Sequence, residues 1–224
     1  MKLALFDLDG TLLPTDSDHS FGEFMVTIGW ANGERWRARN QRFFEQYQAG
    51  TLVLAEYVEF ATSAWRGRPP VEAEAARQRF MHEVIEPQIK PAALALVRAH
   101  RDAGDRVAVV TATNEFITRP IATAFGVDTL LAVELARDDA GQVTGQIHGV
   151  PTFREGKVTR VEAWLAAQGR TFRDFDDVLF YSDSTNDLPL LELVPTPVAT
   201  NPTPALAAIA AERGWRTLNL FDTP

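Results

Sequence analysis

The chain has 224 residues, no cysteine and a formal net charge of −8 at pH 7, and its length suffices for one large domain or a core with an insert. Lack of cysteine excludes disulfides, thiolate nucleophiles and zinc–cysteine sites. The acidic balance argues against nucleic acid as a partner, because phosphate-backbone affinity depends on lysine and arginine. Without a secretory signal or an apolar run of roughly 18 residues for a membrane span, we expect a cytoplasmic protein.

A short apolar run opens the chain at residues 3–6 and ends in Asp7, Leu8, Asp9 and Gly10. The run is continuous and closed by a turn signal, so it predicts a buried strand. Residues two apart on an extended backbone share a face, and Asp7 and Asp9 should therefore point the same way. Two carboxylates at that spacing repel each other unless a cation lies between them or one is protonated.

Residues 14–90 carry helical signals only, after a short polar connector. Aromatic residues recur there at helical spacing, and Pro69 and Pro70 mark the start of a new helix. We interpret most of these aromatic side chains as the insert's own core, and leave open which of them line a substrate pocket. The predicted division is a catalytic core of residues 1–13 and 91–224 with an all-helical insert between them.

Beyond residue 91, strands and helices alternate. The strands are predicted from apolar runs at residues 106–110, 130–135, 178–181, 198–199 and 215–218. The glycine-rich stretch at residues 143–150 predicts a small hairpin. Such alternation is typical of an α/β, doubly wound, mostly parallel sheet covered by helices on both faces.

Polar residues follow three of these strands. In an open parallel sheet the ligand binds beyond the carboxyl ends of the strands, and Asp7, Thr111 and Asp183 would share that rim if their strands are neighbours. Asp187 lies four residues after Asp183, across a turn into a helix. Together with Asp9, four carboxylates near one crevice need a counterion. Oxygen ligands without cysteine or clustered histidine favour a hard cation, Mg²⁺ first.

Two of the candidate features have plainer interpretations when each is taken alone. The run 183–187 is typical of a helix-capping cluster, and Lys157 at the beginning of a helix is most often a surface charge. A rim of carboxylates with Mg²⁺, the hydroxyl of Thr111 and one lysine suits phosphoryl transfer, where phosphate charge must be neutralised and positioned. An aspartate can then attack phosphorus directly.

These motifs resemble those of the haloacid dehalogenase superfamily. The first motif is similar to residues 7–12, the second to Thr111, the third to Lys157 and the fourth to residues 183–187. They follow the family's order and span essentially the whole chain. The helical insert, residues 14–90, resembles the cap of the phosphoserine phosphatase-like branch, and the resemblance implies a Rossmann-like core carrying that cap.

The resemblance also implies a role for each residue. Asp7 would be the nucleophile that forms an aspartyl-phosphate, and Asp9 would be the general acid and then the base. Mg²⁺ would be held by Asp7, the carbonyl of Asp9 and Asp183, with Asp187 acting directly or through water. The phosphoryl group would be held by Thr111 and Lys157, with help from Gly10, Ala112 and Asn186.

The implied activity is Mg²⁺-dependent hydrolysis of a small-molecule phosphomonoester, similar to that of phosphoserine phosphatases. The sequence departs from their pattern at the second motif, where Thr111, Ala112 and Thr113 replace Ser-Gly-Gly. A cap-entry glutamate for the substrate amine is replaced by Asp16, and their cap arginine for the substrate carboxylate has no secure match. An acidic Asp16 or Asp18 suits a cationic substrate group, which phosphoserine and histidinol phosphate both carry, so a histidinol-phosphate phosphatase is the alternative.

Three other functions compete with this interpretation. A phosphotransferase or sugar-phosphate mutase would share the catalytic residues and differ only in its acceptor. A receiver domain is shorter, and its phosphorylated aspartate ends a mid-chain strand. A silent phosphate-binding module would be expected to have lost Asp7 or Asp9, and both are present. We therefore expect a phosphoric monoester hydrolase, and the sequence carries no signal for its oligomeric state.

Overall fold

A computed structural model describes residues 1–221, which contain a seven-stranded sheet in the order β4-β3-β2-β1-β5-β6-β7. The strands are β1 Leu3–Phe6, β2 Arg106–Asn114, β3 Leu130–Arg137, β4 Val143–His148, β5 Val178–Ser182, β6 Thr196–Thr200 and β7 Arg216–Leu218. Neighbouring strands pair in parallel, except that β3 and β4 are antiparallel. The stretch 143–150, predicted as a hairpin of its own, forms the single strand β4, which pairs with β3 at the sheet edge because its antiparallel partner lies upstream in the chain.

Helices cover both faces of the sheet. Their bounds are α1 Ser17–Thr27, α2 Gly33–Gln48, α3 Leu54–Thr62, α4 Pro70–Phe80, α5 Pro91–Asp102, α6 Glu115–Ala124, α7 Glu155–Ala166, α8 Leu188–Leu191 and α9 Pro204–Arg213. A π-helical turn, Met81–Ile85, and a 3₁₀ turn, Glu86–Gln88, connect α4 to α5. Among residues 1–221 no helix combines the length and apolarity that a membrane crossing requires.

Strand β1 occupies the middle of the sheet because each of its four residues is apolar and wholly buried. Leu3 and Leu5 pack into the hydrophobic cluster under α7 to α9, and Ala4 and Phe6 pack into the larger cluster on the opposite face. The sequence of a strand that is buried on both faces is a continuous run of apolar residues, as it is in β1. The predicted α/β class with a mostly parallel sheet is confirmed.

The stretch between β1 and β2 contains helices α1 to α4. Phe43 and Phe60 form a small cluster within these helices, with ring centroids 5.2 Å apart. Trp65 instead stacks on Phe116 of α6 at 4.1 Å, and Phe21 belongs to the same large cluster as β1. The helical stretch therefore shares part of its hydrophobic interior with the α/β core. Its boundaries as a separate cap, residues 14–90, stay a prediction.

Strand β2 is longer than the sequence predicts. It continues through Thr111 to Asn114, with a register shift against β3 after Val110, so Thr111 lies inside the strand and not at its end. Asn114 ends the strand by capping α6, where its side chain accepts a hydrogen bond from the Ile117 amide at 3.3 Å. The prediction failed at this point because β-branched Thr111 and Thr113 continue the strand.

Pro120 lies inside α6, where it removes one amide donor from the helix. The carbonyl of Phe116, four residues earlier, accepts a hydrogen bond from the Arg77 guanidinium of α4 at 3.0 Å instead. A side chain from the helical stretch thus replaces the lost backbone bond, and α6 continues past the proline.

Candidate active site

The site lies where β1, β2 and β5 run side by side. Phe6 of β1 is opposite Val109 of β2 and Tyr181 of β5, and the chain leaves all three strands at one edge of the sheet. Asp7 follows β1 directly, is 3% exposed, and donates its amide to the Tyr181 carbonyl at 2.9 Å. The sheet therefore presents the first carboxylate at its carboxyl edge, as the motif order predicts.

Lys157 connects two carboxylates that are far apart in sequence. Its ammonium donates to Asp7 Oδ1 at 2.8 Å and to Asp187 Oδ2 at 2.7 Å, and its side chain is 1% exposed. Burial alone would lower the pKa of Lys157, but Asp187 and Asp7 raise it above its ordinary value. The lysine is thus a buried cation. Ser182, which the sequence analysis missed, also donates to Asp187 Oδ2 at 2.7 Å.

Asp9 is held by two donors on different elements. Its Oδ1 accepts the Ser17 amide at the start of α1 at 2.8 Å, and its Oδ2 accepts the Thr113 hydroxyl at 2.9 Å. Burial, and after it the charge of Asp16, raises the pKa of Asp9 to about 7 against the hydrogen bonds from Ser17 and Thr113. A carboxyl group with this pKa can give and take a proton near neutral pH. Thr113 was identifiable, because alternate residues of a strand share a face with Thr111.

Gly10 and Thr11 form the turn against which Asp183 rests. The backbone of Gly10 has φ 75°, and a Cβ there would lie 2.3 Å from Asp183 Oδ2. Thr11 donates its hydroxyl to Asp183 Oδ1 at 3.3 Å. Asn201 fixes the turn by donating to the carbonyls of Gly10 and Thr11 at 3.1 and 3.0 Å. Only glycine satisfies both the left-handed conformation and the close carboxylate.

The charge balance of the site indicates a cation. Burial raises the pKa of Asp7 to about 7 in spite of Lys157, and the charges of Asp187 and Asp9 add to the shift. Burial and the neighbouring carboxylates also raise the pKa of Asp183 well above its ordinary value. One lysine cannot compensate four carboxylates, and an oxygen-only donor set fits Mg²⁺.

Within residues 1–221 no three His, Asp or Glu side chains stand at the spacing of a complete ligand set. An ion held here would complete its shell with a backbone carbonyl, water and substrate oxygens. This mixed coordination is usual for Mg²⁺, which is bound through one or two carboxylates and keeps several waters. The residues present therefore fit this metal.

A cavity opens over the carboxylates, between the sheet edge and helices α1 to α3. Thr111 and Ala112 line it from β2, and the Thr111 hydroxyl accepts the Thr113 amide at 3.2 Å. The helical side contributes two acids, Asp16 and Asp18, with the aromatic residues Phe43, Phe44, Tyr47 and Tyr57. Within the part of the chain that the structure describes, no lysine or arginine lines this cavity.

We call the side of the cavity formed by α1 to α3 the helical wall. Its two acids, Asp16 and Asp18, have different surroundings. Asp16 caps α1, where its Oδ1 accepts the His19 amide at 2.7 Å, and burial raises its pKa against these backbone hydrogen bonds. Asp18 is only 7% exposed. Burial, and then the charge of Asp16, raises the pKa of Asp18 well above its ordinary value, while a hydrogen bond from Tyr57 opposes the shift.

Tyr47 and Asn186 meet where α2 reaches the sheet edge. The Asn186 side-chain amide donates to the Tyr47 carbonyl at 3.1 Å, so this donor faces α2. Burial raises the pKa of the Tyr47 phenol, and the charges of Asp7 and Asp187 raise it further. The phenol is therefore close to the carboxylates of Asp7 and Asp187. The phosphate contact of Asn186 stays a prediction, and Tyr47 is a site residue that no motif indicated.

Comparison with known proteins gives the family. The model of the haloacid dehalogenase-like hydrolases matches residues 4–192. A histidinol-phosphatase of Neisseria meningitidis serogroup C (strain 8013) is 40% identical over 218 residues, covering 97% of this chain and 98% of the relative.

Solved structures agree with that assignment. A protein of unknown function from Bordetella pertussis Tohama I has a TM-score of 0.93 at 48% identity, covering 98% of this chain and 99% of that one. A substrate-bound phosphoserine phosphatase shares the fold, with a TM-score of 0.68 at 19% identity over 97% of this chain and 92% of that one. The chain belongs to the haloacid dehalogenase-like hydrolase family, and the prediction of a phosphatase of this family is confirmed.

Proposed function

We propose that this phosphatase is Mg²⁺-dependent and hydrolyses histidinol phosphate through an aspartyl-phosphate intermediate. One observation carries the choice of substrate. The helical wall of the cavity presents Asp16 and Asp18, and no lysine or arginine among the described residues lines it. The 40% identity to a histidinol-phosphatase over nearly the full length of both chains supports the same substrate.

The two acids of the helical wall favour one of the two candidate esters, histidinol phosphate and phosphoserine, over the other. Both carry an ammonium group, which a carboxylate such as Asp16 can bind. Phosphoserine also carries a carboxylate, which would lie among Asp16, Asp18 and Asp9 without a lysine or arginine partner. Burial lowers the pKa of His19, which also lines the cavity, and so disfavours its charged form. An unpaired charge in such a place is strongly unfavourable. Histidinol phosphate carries an imidazole instead. Its N–H groups can donate to Asp18, and its flat ring can pack on Phe44 or Tyr57.

In the first chemical step, an oxygen of Asp7 forms a bond to phosphorus and the bond from phosphorus to the ester oxygen breaks. Lys157, 2.8 Å from Asp7 Oδ1, orients the nucleophile and offers its charge to the phosphoryl oxygens. Asp9 donates its proton to the departing alkoxide. A pKa of about 7 leaves a share of Asp9 protonated at neutral pH, and the Thr113 hydroxyl keeps its carboxyl group in place.

In the second step, Asp9 is a carboxylate and takes a proton from water. The water oxygen bonds to phosphorus, the bond to Asp7 breaks, and inorganic phosphate leaves. When bound, Mg²⁺ supplies positive charge to the phosphoryl oxygens, with Asp7, Asp183 and the carbonyl of Asp9 as its protein ligands. Asp187 orients Lys157 through the 2.7 Å hydrogen bond.

The test is kcat/KM for histidinol phosphate and for phosphoserine, with free inorganic phosphate as the measured product. We expect the wild-type protein to prefer histidinol phosphate by about 100-fold, the scale of an unpaired charge. Asp18→Asn should lower kcat/KM for histidinol phosphate about tenfold or more. Asp139→Asn, on the exposed part of the hairpin, is the matched control and should change neither value.

A preference for phosphoserine would contradict the proposed substrate. Phosphate that appears on a second alcohol, and not free in solution, would indicate a phosphotransferase. Asp16→Asn tests whether Asp16, like Asp18, contributes to substrate binding. If its values for both esters match the wild type, then Asp16 serves only as the cap of α1.

A further inference from the structure

The C-terminal end of α2 is attached to the catalytic core by two side chains. The Asn186 amide donates to the Tyr47 carbonyl at 3.1 Å, and the Arg154 guanidinium donates to the Gly50 carbonyl. These donors lie 139 and 104 residues from their acceptors in sequence. The Tyr47 carbonyl belongs to the last turn of α2, and Gly50 follows the C-cap of the helix, Ala49. Carbonyls left without a partner at a helix C-terminus are stabilised by such donors.

Both donors belong to the segments that carry the buried ion pair. Arg154 immediately precedes α7, and Lys157 follows it by three residues. Asn186 immediately precedes Asp187. The end of α2 is therefore attached on one side to the segment of Lys157 and on the other to the segment of Asp187.

The helix end that these residues hold carries Tyr47. This side chain lines the cavity over Asp7 and lies beside Phe153, with ring centroids 6.2 Å apart. Phe153 is the neighbour of Arg154, whose guanidinium is 4.9 Å from the Phe153 ring centroid. The side chains of Tyr47, Phe153 and Arg154 thus connect the helical wall of the cavity to the start of α7.

The backbone of Arg154 supports a specific role for its side chain. It has φ 53° and ψ −123°, a conformation that residues other than glycine rarely adopt. Backbone strain of this kind persists where the surrounding structure enforces it, and it clusters at functional sites. Arg154 is therefore held in a conformation that favours glycine, while its guanidinium contacts the Gly50 carbonyl and the Phe153 ring.

We propose that Arg154 and Asn186 are positioning residues, which fasten the C-terminal end of α2, and with it Tyr47, over Asp7 during turnover. In this position the helix end keeps water away from the phosphoryl group, and its attachment to the segments of Lys157 and Asp187 keeps Lys157 aligned with Asp7. The inference rests on the proposed nucleophile, Asp7, and holds for any phosphomonoester that the enzyme accepts.

The discriminating variant is Arg154→Gly, because glycine adopts the positive φ freely and only the guanidinium is lost. We expect kcat to fall about tenfold, the equivalent of one hydrogen bond to a charged group. The thermal midpoint should stay within about 2 °C of the wild type. Amide hydrogen exchange should rise at residues 46–51 and not in the sheet.

Two further variants complete the experiment. Arg154→Lys keeps a cationic donor and should recover part of kcat. Arg160→Ala is the matched control, because Arg160 lies on the same helix and bonds Glu134 away from the cavity; its kcat and its exchange at residues 46–51 should match the wild type. In the double variant, Arg154→Gly with Asn186→Ala, the total fold decrease in kcat should be smaller than the product of the two single decreases, since both residues act on one helix end.

A wild-type kcat in Arg154→Gly would overturn the proposal, even if exchange at residues 46–51 rises. A fall of more than about 5 °C in the thermal midpoint, with a matching loss of active protein, would overturn it as well, because Arg154 would then only support the fold. Failure of the proposed function looks different: the wild type and Arg160→Ala would both release no phosphate, while exchange at residues 46–51 would still respond to Arg154→Gly.

Discussion

The cavity has two walls that differ in how they are built. On the sheet side, Lys157 holds Asp7 and Asp187 at 2.8 and 2.7 Å, and all three side chains are buried. On the helical side, Asp16 and Asp18 lie among aromatic rings, and no lysine or arginine among the described residues lines the wall beside them. The sheet wall is suited to one fixed chemical step. The helical wall is suited to choosing the group attached to the phosphate.

The difference follows from the elements that carry each wall. Strand β1 is paired on both sides and wholly buried, so the residue that follows it has one position. The helical wall is assembled from α1, α2 and α3, and part of its attachment to the core is polar, such as the bond between Asn186 and Tyr47. Because these helices are separate from β1, side chains of this wall can be replaced without altering the strand that carries Asp7.

Asp7→Asn is the strongest test of the sheet wall. The amide keeps the shape of the carboxyl group but cannot act as the nucleophile, and we expect phosphate release to fall by at least about 10⁴-fold. The rate is measured under single-turnover conditions, with Asp139→Asn as the control. An Asp7→Asn protein that turns over at the parental rate would remove Asp7 from the chemistry.

Lys157→Met tests the buried ion pair through stability. The substitution leaves the carboxylates of Asp7 and Asp187 buried without their cation, which costs about 3–5 kcal/mol and should lower the thermal midpoint at pH 7 by roughly 10 °C. The loss should shrink at pH 5, because Asp7, whose pKa is raised to about 7, can take up a proton there.

The matched control for that experiment is Lys2→Met. Lys2 is half-exposed and lies 3.8 Å from Asp177, and an exposed pair of this kind contributes at most about 1 kcal/mol. Equal effects of the two substitutions on the thermal midpoint would mean that Lys157 is not a buried counterion.

The smallest expected effect is the pH dependence of stability without metal. The folded pKa values of Asp7 and Asp9 are about 7, above the ordinary value of 3.8. The stability that this shift contributes is complete below pH 3.8 and is lost as the pH rises through 7. In EDTA, the thermal midpoint should therefore fall by several degrees between pH 5 and pH 8.

Asp9→Asn tests the contribution of Asp9. Because an amide resembles the protonated acid, the thermal midpoint of this variant should fall less between pH 5 and pH 8 than that of the wild type. Mg²⁺ should raise the thermal midpoint more at pH 8 than at pH 5, since it binds the ionised carboxylates. A midpoint that is flat in EDTA from pH 5 to pH 8 would contradict the raised pKa values.

Much of the sheet side could be predicted from the sequence. The strand before Asp7, the strand before Asp183 and the alternation that makes them parallel neighbours are local patterns. The structure places Asp183 against Gly10 and Thr11, in the turn that follows Asp7. Lys157 was ambiguous, because a lysine at the beginning of a helix gives no sign that it is buried. Its bond to Asp7, 150 residues away, decides that. The sequence analysis placed Thr111 at the end of β2, but the strand continues for three more residues, to Asn114.

The sequence by itself determined the order of strands and helices, the catalytic motifs and the family they indicate, because these depend on residue type and spacing within single elements. Tertiary structure alone decided which side chains line the cavity over Asp7. Asp18, Tyr47 and Tyr57 come from three different helices and meet in one cavity, and Arg154 reaches Gly50 across 104 residues. The periodicity of a helix gives its apolar face but not the angle at which it packs on its neighbours. That angle places the helical wall over Asp7.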